Sequence, residues 1–168
     1  MRIALIPGSF DPITLGHVNI VERAAKMFDK VYVAVMINDS AKYDKSLSSK
    51  QYMFDMEERL ELVRLSIAHI ENAEAIARSG MLIDLCDELD VTSIVKGIRN
   101  AADLEYEMIH AKWNKAHNDR AETMFLPADE TLTSVSSTRV RELIISKDHE
   151  ALRGIISDKA LEHLKRIR

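Results

Sequence analysis

Apolar residues recur along this chain with two alternating periods. Short, mostly apolar runs at residues 3–6 (IALI), 31–37 (VYVAVMI), 73–76 (AEAI), 92–95 (TSIV) and 123–126 (TMFL) are bounded by polar or turn-forming residues. Such runs predict buried strands. Between them the apolar positions fall at three- and four-residue steps: Val18, Val21, Ala25 and Phe28, then Met56, Leu60, Val63 and Ile67, then Leu82, Leu85 and Leu89. That spacing predicts amphipathic helices starting at Val18 and covering 56–69 and 81–89, and a further helix rich in charge and bulk covers 101–117. Ser136 is a good N-cap for a helix through Ile145, and two short helical segments follow near 150–156 and 158–167.

Five strands alternating with helices predict an α/β fold, an open five-stranded parallel sheet with helices on both faces. One domain over 1–168 is expected, its C-terminal helices at about 148–168. Short right-handed crossovers put the C-terminal ends of the strands on one edge, where the ligand crevice should open. The longest irregular stretch, 38–55 (NDSAKYDKSLSSKQYMFD), follows the second strand on that edge and carries Lys42, Lys45 and Lys50. It reads as a lid or binding loop, with a solvated surface loop as the alternative.

Composition narrows the function classes. Aromatic residues are only 5%, so the core must be mainly aliphatic and methionine. A net charge of −4 argues against a general nucleic-acid binder, and phosphate chemistry would have to use local basic residues. Cys86, the one cysteine, excludes an intramolecular disulfide and a zinc cluster, fits a reducing cytoplasm, and reads as a packed helix residue. The first apolar run is too short for a signal peptide, and no segment approaches a membrane span. A cytoplasmic protein without a membrane partner is expected.

The chemistry concentrates in three stretches. Residues 1–17 (MRIALIPGSFDPITLGH) read as strand, turn-rich loop and helix start, with His17 at the helix start. Free backbone N–H groups and the positive end of the helix dipole favour an anion there. The loop has neither a P-loop nor a dinucleotide fingerprint. A second helix start, V-S-S-T-R-V-R at 135–141, adds the hydroxyls of Ser136 and Ser137 and the cations Arg139 and Arg141. The third stretch, Lys96-Gly97-Ile98-Arg99-Asn100 followed by Asp103-Leu104-Glu105-Tyr106-Glu107, follows a strand end on the same edge. Its glycine permits close backbone approach between two cations.

Thr14-Leu15-Gly16-His17 resembles the [HT]-x-G-H signature of the nucleotidylyltransferases, a Rossmann-like fold, and the serine stretch resembles their I-S-S-T-x-x-R motif. The third stretch resembles the R-G-[LI]-R and D-x-E-Y-E segments of phosphopantetheine adenylyltransferases of bacterial type. P-G-S-F-D-P-I-T-x-G-H, the E-E-R segment from Glu57 and Trp113-Asn114 extend the likeness over essentially the whole chain. The resemblance implies transfer of AMP from ATP to 4′-phosphopantetheine, giving dephospho-CoA and pyrophosphate by direct in-line attack. It further implies Mg²⁺ held mainly by substrate phosphates, a homohexamer, and coenzyme A as a feedback ligand.

Carried over by position, the resemblance makes His17, Lys42 and Arg99 catalytic. It places ATP against Ser9, Phe10, His17, Gly97, Arg99, Glu107, Ser136 and Ser137. It places phosphopantetheine against Ser9, Lys42, Met81, Leu82, Lys96 and Asn114. The family lysine aligns with Lys42 from the left and with Lys50 from the right; Lys42 is preferred as nearer the strand end. Lys96 stands where the family has arginine, keeping the charge without the bidentate fork. Leu132-Thr133-Ser134 stands where an aromatic often lies near adenine, and His110 and Trp113 where Leu and Met are common. Trp113 could narrow the pantetheine channel or pack in the core or a subunit interface. The alternative functions are transfer to another acceptor (nicotinamide mononucleotide, FMN or a polyol phosphate) and a catalytically silent nucleotide-binding module.

Overall fold

Period-two alternation in the first strand, β1 (Ile3–Gly8), already divides the core in two. Ala4 and Ile6 turn to one face of the sheet, Ile3 and Leu5 to the other, and all four are buried. The computed structural model describes residues 1–37 and 51–168. The expected lid therefore lies largely outside the described residues, and Lys42, Lys45 and Lys50 lie wholly outside them.

From β1 the chain runs through α1 (Leu15–Ala25), β2 (Lys30–Met36), α2 (Met56–Ile67), β3 (Ala73–Arg78), α3 (Leu82–Glu88), β4 (Ser93–Ile98), α4 (Ala101–His117) and β5 (Glu122–Pro127). A short 3₁₀ turn (Glu130–Leu132), α5 (Ser137–Ile145), a second 3₁₀ turn (Glu150–Leu152) and α6 (Asp158–Ile167) follow. The five strands form one parallel sheet in the order β3-β2-β1-β4-β5. Val18 and Val21 of α1, Leu60 and Val63 of α2, Val140 and Leu143 of α5 and Leu161 of α6 pack on one face with Ala4 and Ile6. Leu85 and Cys86 of α3 pack on the other with Ile3 and Leu5. Helices thus cover both faces, and the aliphatic core and packed Cys86 follow the sequence expectation.

The registers explain where a ligand can enter. β1 stays paired with β2 from Ile3–Lys30 to Gly8–Val35, but with β4 only at Ala4–Ser93 and Leu5–Ile94. Beyond those two positions β1 and β4 part. This is the switch point of the strand order, where a crevice is expected at the carboxyl ends of the strands.

Three boundaries differ from the sequence reading. Lys96, Gly97 and Ile98 do not follow β4 but belong to it, because they continue its register with Phe125, Leu126 and Pro127 of β5. Helix α1 begins at Leu15, three residues early, because Thr14 is its N-cap. Helical structure near 150–156 is limited to the 3₁₀ turn Glu150–Leu152; Gly154, with φ +75°, turns the chain out of it. Among the described residues no helix is long and apolar enough to cross a membrane.

Candidate active site

Two pockets open at the C-terminal edge, meeting at Pro7, Gly8, Ser9, Lys96 and Glu107. The first, of about 380 Å³, lies between the start of α1, the end of β4 and the start of α5. The second, of about 390 Å³, lies between the end of β2, the start of α3 and α4.

In the first pocket the loop after β1 sets the position of His17. Phe10 takes φ +45°, a left-handed conformation uncommon for an aromatic residue, and its side chain is buried. The ring packs over Gly8, where a Cβ would stand 3.0 Å from it, and meets the His17 ring edge-on at 5.1 Å. Thr14 then caps α1, and His17 takes the third helical position, where a glutamate or glutamine usually closes a capping box. The Thr14 backbone N–H donates to His17 Nδ1 at 3.0 Å. An Nδ1 that accepts carries no proton, so the neutral ring is protonated on Nε2. Burial, then the charges of Arg99 and Lys96, lower the His17 pKa from 6.5 to about 4. At neutral pH His17 is an uncharged donor of fixed tautomer.

The cations around it are held. Arg99, just past β4, donates through Nε to Asp103 at 3.0 Å, while its backbone N–H donates to the same carboxylate at 3.1 Å. Burial pushes the Asp103 carboxyl up, but the hydrogen bonds and charge of Arg99 outweigh it and hold the pKa below the ordinary value. Asp103 is itself fixed because its N–H donates to the α4 cap, Asn100, at 2.9 Å. Arg141 of α5 donates to the Asp11 carbonyl at 2.8 Å. Asp11 is buried, and its carboxylate accepts the N–H groups of Met53 and Phe54 at 2.9 Å each. Ser136 caps α5 by accepting the Arg139 N–H, and the Ser137 hydroxyl donates to the Pro12 carbonyl at 2.8 Å. Two helix N-termini, those of α1 and α5, therefore border one cationic pocket, an arrangement that binds phosphate.

Of the expected nucleotide residues, Ser9, Phe10, His17, Gly97, Arg99, Glu107, Ser136 and Ser137 all line this first pocket. Of the expected acceptor residues, Ser9, Met81, Leu82, Lys96 and Asn114 line the second. Lys96 and Glu107, expected on different substrates, form an ion pair at 3.3 Å where the pockets meet. Gly97 does permit a close approach, but by Ile20 of α1: a Cβ would lie 2.9 Å from Ile20 Cγ1. Arg139 and Arg141 separate, Arg139 pairing with Glu142 on the exposed side and Arg141 lining the pocket. The sequence reading assigned no role to Thr14, Asp11 or Asp103; Asp103 was legible, four residues after Arg99 at a helix start, but Asp11 acts only through tertiary contacts.

Residues 5–143 match the cytidylyltransferase-like family. The chain is 40% identical over 143 residues to the phosphopantetheine adenylyltransferase of Streptomyces coelicolor, an alignment covering 85% of this chain and 84% of that one. It is 39% identical to the phosphopantetheine adenylyltransferases of Actinobacillus succinogenes (86% and 84% covered) and Staphylococcus carnosus (83% and 81%). Among solved structures, a Vibrio parahaemolyticus protein described provisionally as a nicotinate-nucleotide adenylyltransferase superposes with a TM-score of 0.68 at 20% identity, over 98% of this chain and 99% of that one. That likeness is one of fold.

Proposed function

This chain belongs to the phosphopantetheine adenylyltransferase family, and on that footing we propose that it transfers AMP from ATP to 4′-phosphopantetheine, giving dephospho-CoA and pyrophosphate. The observation that carries the chemistry is the neutral, tautomer-fixed His17 between two helix starts.

A phosphate oxygen of the acceptor attacks the α-phosphorus; that P–O bond forms as the bond to the β-phosphate breaks, and pyrophosphate leaves. A phosphate monoester is already anionic near neutral pH, so no side chain has to remove a proton. The chain's task is positioning and charge stabilisation. In this reading His17 Nε2–H donates to the α-phosphate oxygens as charge accumulates on them, and Arg99, Ser136 and Ser137 with the α5 N-terminus hold the β- and γ-phosphates. Phe10 acts from behind, supporting the His17 ring, and Gly97 and Glu107 border the nucleotide. Ser9 and Lys96 lie where the acceptor phosphate meets the nucleotide, while Met81, Leu82 and Asn114 take the pantetheine arm. Lys42 is assigned to the two reacting phosphates, with Lys50 as the competing position.

Among the described residues no three His, Cys, Asp or Glu side chains converge as a metal site. Mg²⁺ is assigned to the substrate phosphates, where it would neutralise charge. A homohexamer is proposed on the family resemblance, and the exposed Ile109 of α4 offers apolar surface for a subunit contact. Coenzyme A, which shares the acceptor's arm, is proposed as a feedback ligand, and the cytoplasm as the site of action.

The test is pyrophosphate release from ATP and Mg²⁺, with and without 4′-phosphopantetheine. Release that depends on this acceptor, with dephospho-CoA as co-product, is expected. Release with nicotinamide mononucleotide or FMN instead, or none with any acceptor despite ATP binding, would overturn the assignment.

A further inference from the structure

The largest fully buried side chain among the described residues carries a charge. Arg59, near the start of α2, is only 2% exposed. It lines neither pocket. A guanidinium is costly to bury unless its donors are taken up. Here its acceptors among the described residues are main-chain carbonyls of three segments. Nη1 donates to the Ser9 carbonyl at 2.8 Å and to the Met36 carbonyl at 3.4 Å, and Nε donates to the Asp55 carbonyl at 3.3 Å. The Tyr52 ring covers the guanidinium at 4.1 Å. One rigid fork thus joins the β1–α1 loop, the end of β2 and the N-cap of α2, which the single ammonium of a lysine cannot do as well.

The shortest of these bonds acts on one peptide group. The Ser9–Phe10 bond is trans, so its C=O and N–H point in opposite directions. Arg59 reaches the end of β2, so it holds the Ser9 carbonyl toward the β2 side of β1. The Phe10 N–H is thereby turned to the β4 side, where β1 and β4 part and the first pocket opens. Among the described residues this N–H has no acceptor. A fixed, unpaired main-chain N–H at a pocket wall is a donor for an anionic oxygen. Phe10 also takes φ +45°, an unfavourable value for an aromatic residue. Rotating the Ser9–Phe10 peptide by about half a turn would return φ to the favoured negative range and take the N–H away from the pocket. The bond from Arg59 opposes that rotation.

We propose that Arg59 is a positioning residue for AMP transfer: by holding the Ser9 carbonyl it aims the Phe10 N–H at the α-phosphate, beside His17 Nε2–H. The inference rests on the AMP-transfer reading, which puts the α-phosphate at His17. Side chain and main chain then each supply one donor to the oxygens on which charge accumulates.

Ser9–Phe10 is the chain's single Ser-Phe pair, so isotopic labelling of the serine carbonyl carbon and the phenylalanine nitrogen isolates this one amide by NMR in the full chain. The probe is Mg²⁺ with an ATP analogue that has a methylene between the α- and β-phosphorus. In wild type the Phe10 amide proton should move downfield and saturate; in Arg59→Met the shift should be lost. In turnover, Arg59→Met should lower kcat about 10²-fold, with KM for both substrates changed less than threefold. Arg59→Lys, which keeps the charge and a donor, should recover about tenfold of that loss. ATP with sulfur in place of one or the other α-phosphate oxygen separates this role from a merely structural one. The rate ratio of the two diastereomers should change about fivefold in Arg59→Met, because one oxygen loses a donor. Equal losses with both diastereomers would overturn the proposal. So would a wild-type Phe10 amide that ignores the analogue, a measurement that stands even if Arg59→Met fails to fold. If wild type releases no pyrophosphate with any acceptor, while its Phe10 amide responds and that of Arg59→Met does not, the reaction reading fails alone and the placement of the peptide by Arg59 stands.

Discussion

The two pockets at the sheet edge differ in how firmly their polar groups are already held. In the first, His17 Nδ1 accepts from Thr14, Arg99 is tied to Asp103, Arg141 to the Asp11 carbonyl and Ser137 to the Pro12 carbonyl. In the second, Asn114 has no side-chain partner among the described residues, and Trp113 leans only on its own helix. Donors fixed in advance need not reorganise when charge develops on a phosphorus centre, and this is what lowers a barrier. Groups left unpaired until a ligand arrives contribute to affinity and discrimination instead. The difference separates a region that should govern kcat from one that should govern the acceptor's KM.

The strongest way to break that division is His17→Ala. Turnover should fall by about 10²–10³-fold with ATP affinity nearly unchanged, as for loss of a transition-state donor. A stopped-flow or steady-state kcat within a few-fold of wild type would remove His17 from the chemistry. Asn114→Ala should give the opposite signature, a KM for 4′-phosphopantetheine raised about tenfold with kcat kept, as expected for a lost ligand hydrogen bond. A fall in kcat instead would erase the distinction between the pockets. Asp103→Asn, which loosens Arg99 without removing it, should lower kcat/KM for ATP about fivefold, the equivalent of ~1 kcal/mol of hydrogen bonding. Gly97→Ala tests the scaffold under both pockets: the new Cβ collides with Ile20, and denaturant melts should show a loss of about 1–3 kcal/mol.

The smallest effect concerns pH. With its folded pKa of about 4 below the ordinary 6.5, His17 is neutral above pH 5. The unfolded chain binds this proton more readily than the folded one. The stability linked to His17 is therefore complete above about pH 6.5 and is lost as pH falls toward 4. An NMR titration of the free protein should show the His17 ring silent between pH 5 and 8. A midpoint near 6.5 would mean that neither burial nor the charges of Arg99 and Lys96 act on it.

Much of this was legible from sequence. The strand–helix alternation, the bounds of α4 and α6, the cap Ser136, and the meeting of the three motif stretches at one edge all follow from local pattern. Lys96-Gly97-Ile98 reads as loop because its polarity and glycine look unlike a buried strand, and only pairing with β5 makes it one. The Asp11 bridge to Met53 and Phe54 spans 42 and 43 residues, and no periodicity carries such a contact. His17 was found as a motif residue, but its tautomer depends on the Thr14 N–H, a backbone group that is the same in any sequence.

That capping contact also limits which insertions and deletions this loop can accept. Each residue added to a helix turns every later side chain by about 100° about the axis. One residue inserted between Thr14 and His17 would therefore swing the imidazole out of phase with the peptide N–H that fixes its proton. The spacing of three is thus a rotational constraint as well as a chemical one. Length variation in lineages that keep this reaction should fall before Thr14 or beyond α1, and not between the two residues.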